Sequence, residues 1–182
     1  MNDDDLKKKH HIIFLVGLPG SGKTTFVKEF LKTHPNYVSL SSDDIIERLA
    51  KDAGTVYNDA AFIAYRDIAE KEYRNNVAAA VNKKLNIIID RTNQTIKARR
   101  KVLSILPSTY KKTAIIFSLP REEINLRLLK REYDTGKMIP QKVIDDMAVV
   151  YQPPTIAEGF DEIINKDIKW AMKLLKWTII AH

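Results

Sequence analysis

The chain has 182 residues, and 30 Lys and Arg against 23 Asp and Glu leave a formal charge of +7. With 45% hydrophobic and 29% charged residues, it has the balance of one globular domain with a core rather than of a disordered chain. It has no cysteine, which excludes disulfides, thiolate zinc sites and a cysteine nucleophile, and no apolar run reaches the ~18 residues that cross a bilayer.

Residues 1–10 read as a flexible start without the apolar stretch of a secretory signal, so a cytoplasmic location and no membrane partner are expected. Residues 12–16, IIFLV, are a short continuous apolar run, the pattern of a strand buried on both faces of a parallel sheet. It leads into GLPGSGKTT, where Gly17, Gly22, Lys23 and Thr24 satisfy GxxxxGK[ST] between a strand and an amphipathic helix. In such a loop Gly17, Pro19, Gly20, Ser21 and Gly22 shape a wall around a β-phosphate, and the dipole of the following helix points at the anion. Lys23 reaches the β and γ oxygens, Thr24 sits on Mg²⁺ and Thr25 closes the site. A binding site for ATP with Mg²⁺ is expected.

The helix over 24–32 carries Phe26, Val27, Phe30 and Leu31 on one side. A second strand, 37–40, runs into Ser41, Ser42, Asp43 and Asp44 and then an apolar helix, IIERLA. In an open parallel sheet the carboxyl ends of the strands face the ligand crevice, so Asp43 is expected to look at the γ-phosphate. An aspartate that orients a hydroxyl and accepts its proton late would suffice there. The same residues match a helix cap, Ser41 with Asp44 or Asp44 with Glu47, and both uses are compatible.

A long alanine-rich helix over 59–84 and a third strand over 87–89 follow, ending at Asp90. That carboxylate takes a Walker-B-like position, able to hold a metal-bound water or to fix Lys23 and Thr24. Arg91, Thr92 and Asn93 beside it read as acceptor contacts, or as an ordinary strand-to-helix turn. The next helix, 96–106, carries Lys97, Arg99, Arg100 and Lys101, either a solvated cluster or a contact for a nucleic-acid backbone.

A fourth strand, 114–117, precedes helices over 122–132 and 141–151, each following a proline suited to a helix start. Between these helices DTGKMI, 134–139, reads as a short mobile connection. A lid at about 131–140 would bring a cation to the transferring group, with Arg131 the leading residue and Lys137 at its tip. The alternative for Arg131 is an exposed helix end. A last strand is expected at 162–164. Strand alternating with helix gives a three-layer α/β fold with a parallel sheet of four to five strands. In the tail, 166–182, Lys166, Lys169, Lys173 and Lys176 share one helical face flanked by Trp170 and Trp177. This helical extension reads as docked on its own domain or on a second copy in a homo-oligomer.

A P-loop does not choose its reaction. NKKL at 82–85 lacks the aspartate of a GTPase's NKxD, and the chain is short for AAA or transporter ATPases, which leaves kinases. GLPGSGKTT, SSDD, DRTN with ARRK, LKREYDTGKMIP and PPTIAEGFDEI together resemble the kinase domain of polynucleotide 5′-hydroxyl kinases, phage and animal end-healing enzymes, over about 11–165. The resemblance implies transfer of the γ-phosphate of ATP to the 5′-hydroxyl end of DNA or RNA, in the host cytoplasm if the gene is a phage's. It makes Asp43 the general base, puts Lys23 and Thr24 on the triphosphate and magnesium, places Asp90 near metal and nucleophile, and brings Arg131 over the phosphates. Where phage members grip the acceptor's next phosphate with an arginine, this chain has Ile46, with Arg48 on another side of the helix. For a second lid arginine of those members, the nearest cation here is Lys137. The DxDGT signature of the accompanying phosphatase is absent. The sequence is also similar to the P-loop domain of an RNA-binding nuclear ribonucleoprotein, which implies a non-catalytic, nucleotide-switched assembly module. A kinase of a nucleoside or nucleotide is the third reading.

Overall fold

The computed structural model describes residues 10–166. The expected tail helix and the flexible start lie outside the described residues, except for His10 and Lys166, which belong to strands. Five parallel strands, β1 (His10–Val16), β2 (Tyr37–Leu40), β3 (Asn86–Ile89), β4 (Tyr110–Phe117) and β5 (Glu162–Lys166), form one sheet in the order β2-β3-β1-β4-β5. The helices described are α1 (Lys23–Thr33), α2 (Ser42–Asp52), α3 (Asp59–Asn82), α4 (Ile96–Leu103), α5 (Arg121–Thr135) and α6 (Gln141–Val149).

The alternation of side chains along β1 divides the core into two layers. Ile12, Phe14 and Val16 face Ile45 and Ile46 of α2, Tyr73 and Val77 of α3 and Val102 of α4. Ile13 and Leu15 point the other way, onto Phe26 and Val27 of α1. The apolar runs of β1 and β3 are continuous because both strands are covered on both faces. β1 is central, and its carboxyl end feeds the glycine-rich loop directly into the crevice.

Local chemistry sets the helix ends. Side-chain oxygens of Ser41, Asn58 and Thr95 accept from the main-chain N–H of Asp44, Ala61 and Ala98 at 3.2, 2.9 and 3.1 Å, starting α2, α3 and α4. The capping use of Ser41 with Asp44 is therefore realised. α4 stops short of its expected end: Ile105 and Leu106 make only i−3 turns, and Leu106 precedes a proline, where helix is disfavoured. α5 is longer than expected, so Asp134 and Thr135 are helical and the connection shrinks to 136–140. Gly136 ends this helix at φ 71°, a left-handed position that glycine adopts without a Cβ penalty.

Arg99 departs from its expected place in a solvated basic cluster. It is fully buried, with Nε and Nη2 each 2.8 Å from a carboxylate oxygen of Glu158. Its Nη1 donates to the carbonyls of Asn93 and Gln152 at 2.9 and 2.8 Å. Arg99 thus fastens α4 to the 3₁₀ turn at Ile156–Glu158.

Candidate active site

Gly17 leaves β1 with its N–H donating to the carbonyl of Thr92 at 3.0 Å. A Cβ at this position would lie 2.7 Å from the carbonyl oxygen of Phe117 and 2.8 Å from Oγ of Ser21, so only glycine fits. Gly22 sits at φ 98° just before α1 and turns the chain into the helix whose first residue is Lys23. Lys23 is buried, and its Nζ donates to the carbonyls of Gly17 and Leu18 at 2.9 and 2.8 Å. Burial pulls its pKa down to about 8, a fall opposed by the charges of Asp90 and Asp43 and helped by Arg131.

Thr24 Oγ1 lies 3.4 Å from Oδ2 of Asp90. Burial raises the Asp90 pKa, Lys23 draws it back, and Asp44 and Asp43 add repulsion. Asp43 is exposed in the first turn of α2, and its charge reaches both Lys23 and Tyr57. The charge of Asp44 also reaches Asp90. Its own pKa is raised by burial and then by Glu47.

The second half of α5 contributes cations beside this group. Nε and Nη2 of Arg131 are shielded from solvent and have no hydrogen-bond partner. Arg127, one turn earlier, approaches the loop so closely that a Cβ on Gly22 would be 3.4 Å from its Nη1. It was not among the expected site residues, although its spacing of four from Arg131 places both on one helical face. Lys137 spans from the connection to the carboxylate of Glu47 on α2, with its Nζ 3.9 Å from the centre of the Tyr57 ring.

The residues after Asp90 part company. Arg91 pairs with Glu70 at 3.0 Å and lies 4.6 Å above the Tyr73 ring, between α3 and α4. Thr92 turns its carbonyl to Gly17. Asn93 does not face the crevice: it is 5% exposed, and its Nδ2 donates to the carbonyls of Leu15 at 2.7 Å, Arg91 at 3.3 Å and Ile89 at 3.4 Å. Its amide ties the ends of β1 and β3 together, and its backbone takes φ 48° to do so. Ile46 is in the core, and Arg48 is held by Glu72 at 2.7 Å and Asp52 at 3.6 Å.

These residues fit a nucleoside triphosphate with magnesium. Lys23 spends its ammonium on loop carbonyls, the Arg131 guanidinium has donors without acceptors, and both flank a glycine-lined cradle at a helix N-terminus. Thr24 and Asp90 offer two oxygens to a cation. No cluster of three His, Cys, Asp or Glu suited to a metal occurs among the described residues.

The parallel sheet and the glycine-rich loop between β1 and α1 define a P-loop kinase. The chain belongs to the family described as AAA domain, whose profile matches residues 12–154. Of two named relatives, one is a kinase and the other a ribonucleoprotein. L-seryl-tRNA(Sec) kinase of Methanococcus maripaludis is 29% identical over 154 residues, 82% of this chain and 56% of the relative. Heterogeneous nuclear ribonucleoprotein U-like protein 2 of Homo sapiens is 24% identical over 87% of this chain and 22% of its own. The chain thus spans about half of one curated relative and a smaller part of the other. Among solved structures, the Pnkp1/Rnl/Hen1 RNA repair complex contains a chain 30% identical, with a TM-score of 0.61, covering 78% of this chain and 43% of that one. A fungal RNA kinase shares the fold at a TM-score of 0.56 and 19% identity, covering 87% of this chain and 74% of that one. No helix among the described residues is long and apolar enough to cross a membrane.

Proposed function

We propose that the protein transfers the γ-phosphate of ATP to the 5′-hydroxyl end of a nucleic acid, RNA before DNA, with Asp43 as general base. The observation that carries this reading is the exposed Asp43 carboxylate within electrostatic reach of Lys23, under a lid arginine whose donors lack acceptors. Asp43 orients the acceptor hydroxyl and takes its proton. Lys23 and Arg131 hold the charge that spreads over the phosphoryl oxygens, which is where most of the catalysis of this reaction lies. Thr24 and Asp90 would hold Mg²⁺, which supplies further charge neutralisation between the phosphates when bound. The likeness to a chain of an RNA repair complex supports a strand end as acceptor, and a cytoplasmic end-repair role goes with it.

A second reading has one specific support. The 29% identical relative is an L-seryl-tRNA(Sec) kinase, and Ile46 leaves α2 without a cation for the phosphate next to a strand end. The acceptor would then be an alcohol on a charged RNA. Both readings are tested by labelled γ-phosphate transfer to 5′-hydroxyl RNA, 5′-hydroxyl DNA, seryl-tRNA and free nucleosides. Transfer to oligonucleotides that drops by about 10²–10⁴ in Asp43→Asn is the expected result. Transfer to seryl-tRNA or nucleosides alone replaces the first reading, and nucleotide binding without transfer to any acceptor points to the assembly module.

A further inference from the structure

The cleft between α3 and α4 holds chemistry that the phosphoryl-transfer site leaves unused. Arg91, the residue after Asp90 in the chain, is one of its lining residues. Glu70 and Arg74 from α3, Arg91 from the end of β3 and Lys101 from α4 line it around the buried Tyr73. Glu70 is shared by Arg91 at 3.0 Å and Lys101 at 3.8 Å. Three cations against one carboxylate leave a surplus of positive charge in the cleft.

Tyr73 is 1% exposed, and its hydroxyl has no hydrogen-bond partner. Burial pushes the phenol up to about 12, against the pull of Arg91, so its proton stays in place. Arginine and lysine only donate, and none of the three cations can accept that proton. The one carboxylate is already engaged. A buried donor left unmade is costly, and what it lacks is an acceptor oxygen. The enclosed space is about 20 Å³, room for one oxygen-sized group, with the rest of a ligand standing outside among the cations.

We propose that this cleft binds a phosphodiester group of the acceptor nucleic acid, with one oxygen on Tyr73 and the others held by Arg74, Arg91 and Lys101. The inference rests on the reading that the acceptor is a nucleic acid. It places on α3 and α4 the phosphate grip that Ile46 denies to α2. Contacts of this kind set the register of a strand without reading its bases.

The test is binding of a labelled 5′-phosphorylated RNA oligonucleotide, which offers no acceptor hydroxyl at that end, to the full chain across a salt series. The wild type is compared with Tyr73→Phe and with the double variant Arg74→Gln/Lys101→Gln, and ATP titration of each variant reports folding. The expected result is about tenfold weaker RNA binding in the double variant, a salt slope shallower by about 0.7, and ATP affinity within about twofold of wild type. Tyr73→Phe weakens RNA binding about threefold by removing one hydrogen bond. Wild-type RNA affinity and slope in both variants, or no RNA binding by the wild type, overturn the inference; the former makes the cleft the seat of a structural water only. Cleft-dependent binding without transfer to a 5′-hydroxyl sinks the proposed reaction and leaves this site standing. Transfer with cleft-independent binding does the reverse.

Discussion

Arg99 and Glu158 face each other at 2.8 Å with side chains 0% and 3% exposed, 59 residues apart in the sequence. Burial raises the Glu158 pKa, but hydrogen bonds from Arg99 and Thr155 outweigh it and hold the carboxyl below the usual range. Removing one partner of such a pair leaves a buried charge uncompensated and costs about 3–5 kcal/mol. Arg99→Ala is therefore expected to lower the melting temperature by roughly 10 °C. Arg99→Met/Glu158→Leu, which removes both charges, should lose less than Arg99→Ala and less than Glu158→Leu alone. Thermal unfolding of the four proteins decides this.

Lys23 gives a pH dependence to nucleotide binding. Its free-state pKa of about 8 means that the ammonium is lost as pH rises above that value. A triphosphate favours the charged form, so the complex holds the proton that the free protein gives up. Affinity for ATP should fall above pH 8 by up to about tenfold per unit. Lys23→Arg, whose guanidinium does not titrate in this range, should bind more weakly but with a flat profile. Calorimetric titration from pH 7 to 9.5 checks the slope.

His11 makes stability depend on acid. Its ring nitrogens lie 2.7 Å from the Tyr37 hydroxyl and 2.8 Å from the Thr113 hydroxyl, and burial, with Lys111, lowers its pKa from 6.5 to about 4. Between those values the unfolded chain binds a proton that the folded one does not. Stability from this group is complete above pH 6.5 and is lost as pH falls toward 4. His11→Gln should flatten that part of the curve in urea denaturation at stepped pH.

Gly17→Ala should abolish nucleotide binding before it unfolds the protein. The added methyl meets the Phe117 carbonyl and the Ser21 hydroxyl below 3 Å, so the loop must leave its position between β1 and β4. A loss of ATP affinity of at least about a hundredfold is expected from the displaced amides and the displaced Lys23. Fluorescent nucleotide titration measures it.

The two lid arginines should differ. Arg131 offers unpartnered donors, whereas Nε of Arg127 is held by Glu123 at 2.7 Å. Arg131→Ala is expected to cut kcat by about 10³ with little change in ATP affinity, as for a cation that acts on the transition state. Arg127→Ala should raise the KM for ATP severalfold with a smaller effect on kcat. Steady-state kinetics with saturating acceptor separates the two.

What could be read from the chain alone follows the range of the interactions involved. β1 and β3 announced themselves because strands buried on both faces need unbroken apolar runs, and the cradle because its glycines and Lys23 are neighbours in sequence. Ser41 as a cap was legible for the same reason. Arg99 and Asn93 were not, since their burial is decided by Glu158, Gln152 and Leu15, none of them close along the chain. Arg127, Lys130 and Arg131 all precede the connection in the sequence, and only the fold shows that Arg127 reaches the loop at Gly22. Asp44 takes its expected part in the cap: its main-chain N–H donates to Ser41, and its charge still adds to the repulsion felt by Asp90.

The central place of β1 also governs how the protein is made. Ile12 sits opposite Ile87 on one side and Lys112 on the other, so β1 has no neighbour in this sheet until far later sequence has left the ribosome. At ordinary elongation rates the stretch to β3 is a wait of ~4–15 s with IIFLV unpaired. Such a nascent segment is prone to aggregate and suited to chaperone capture, and the ATP cradle cannot form until β4 arrives, because Phe117 is one of its walls.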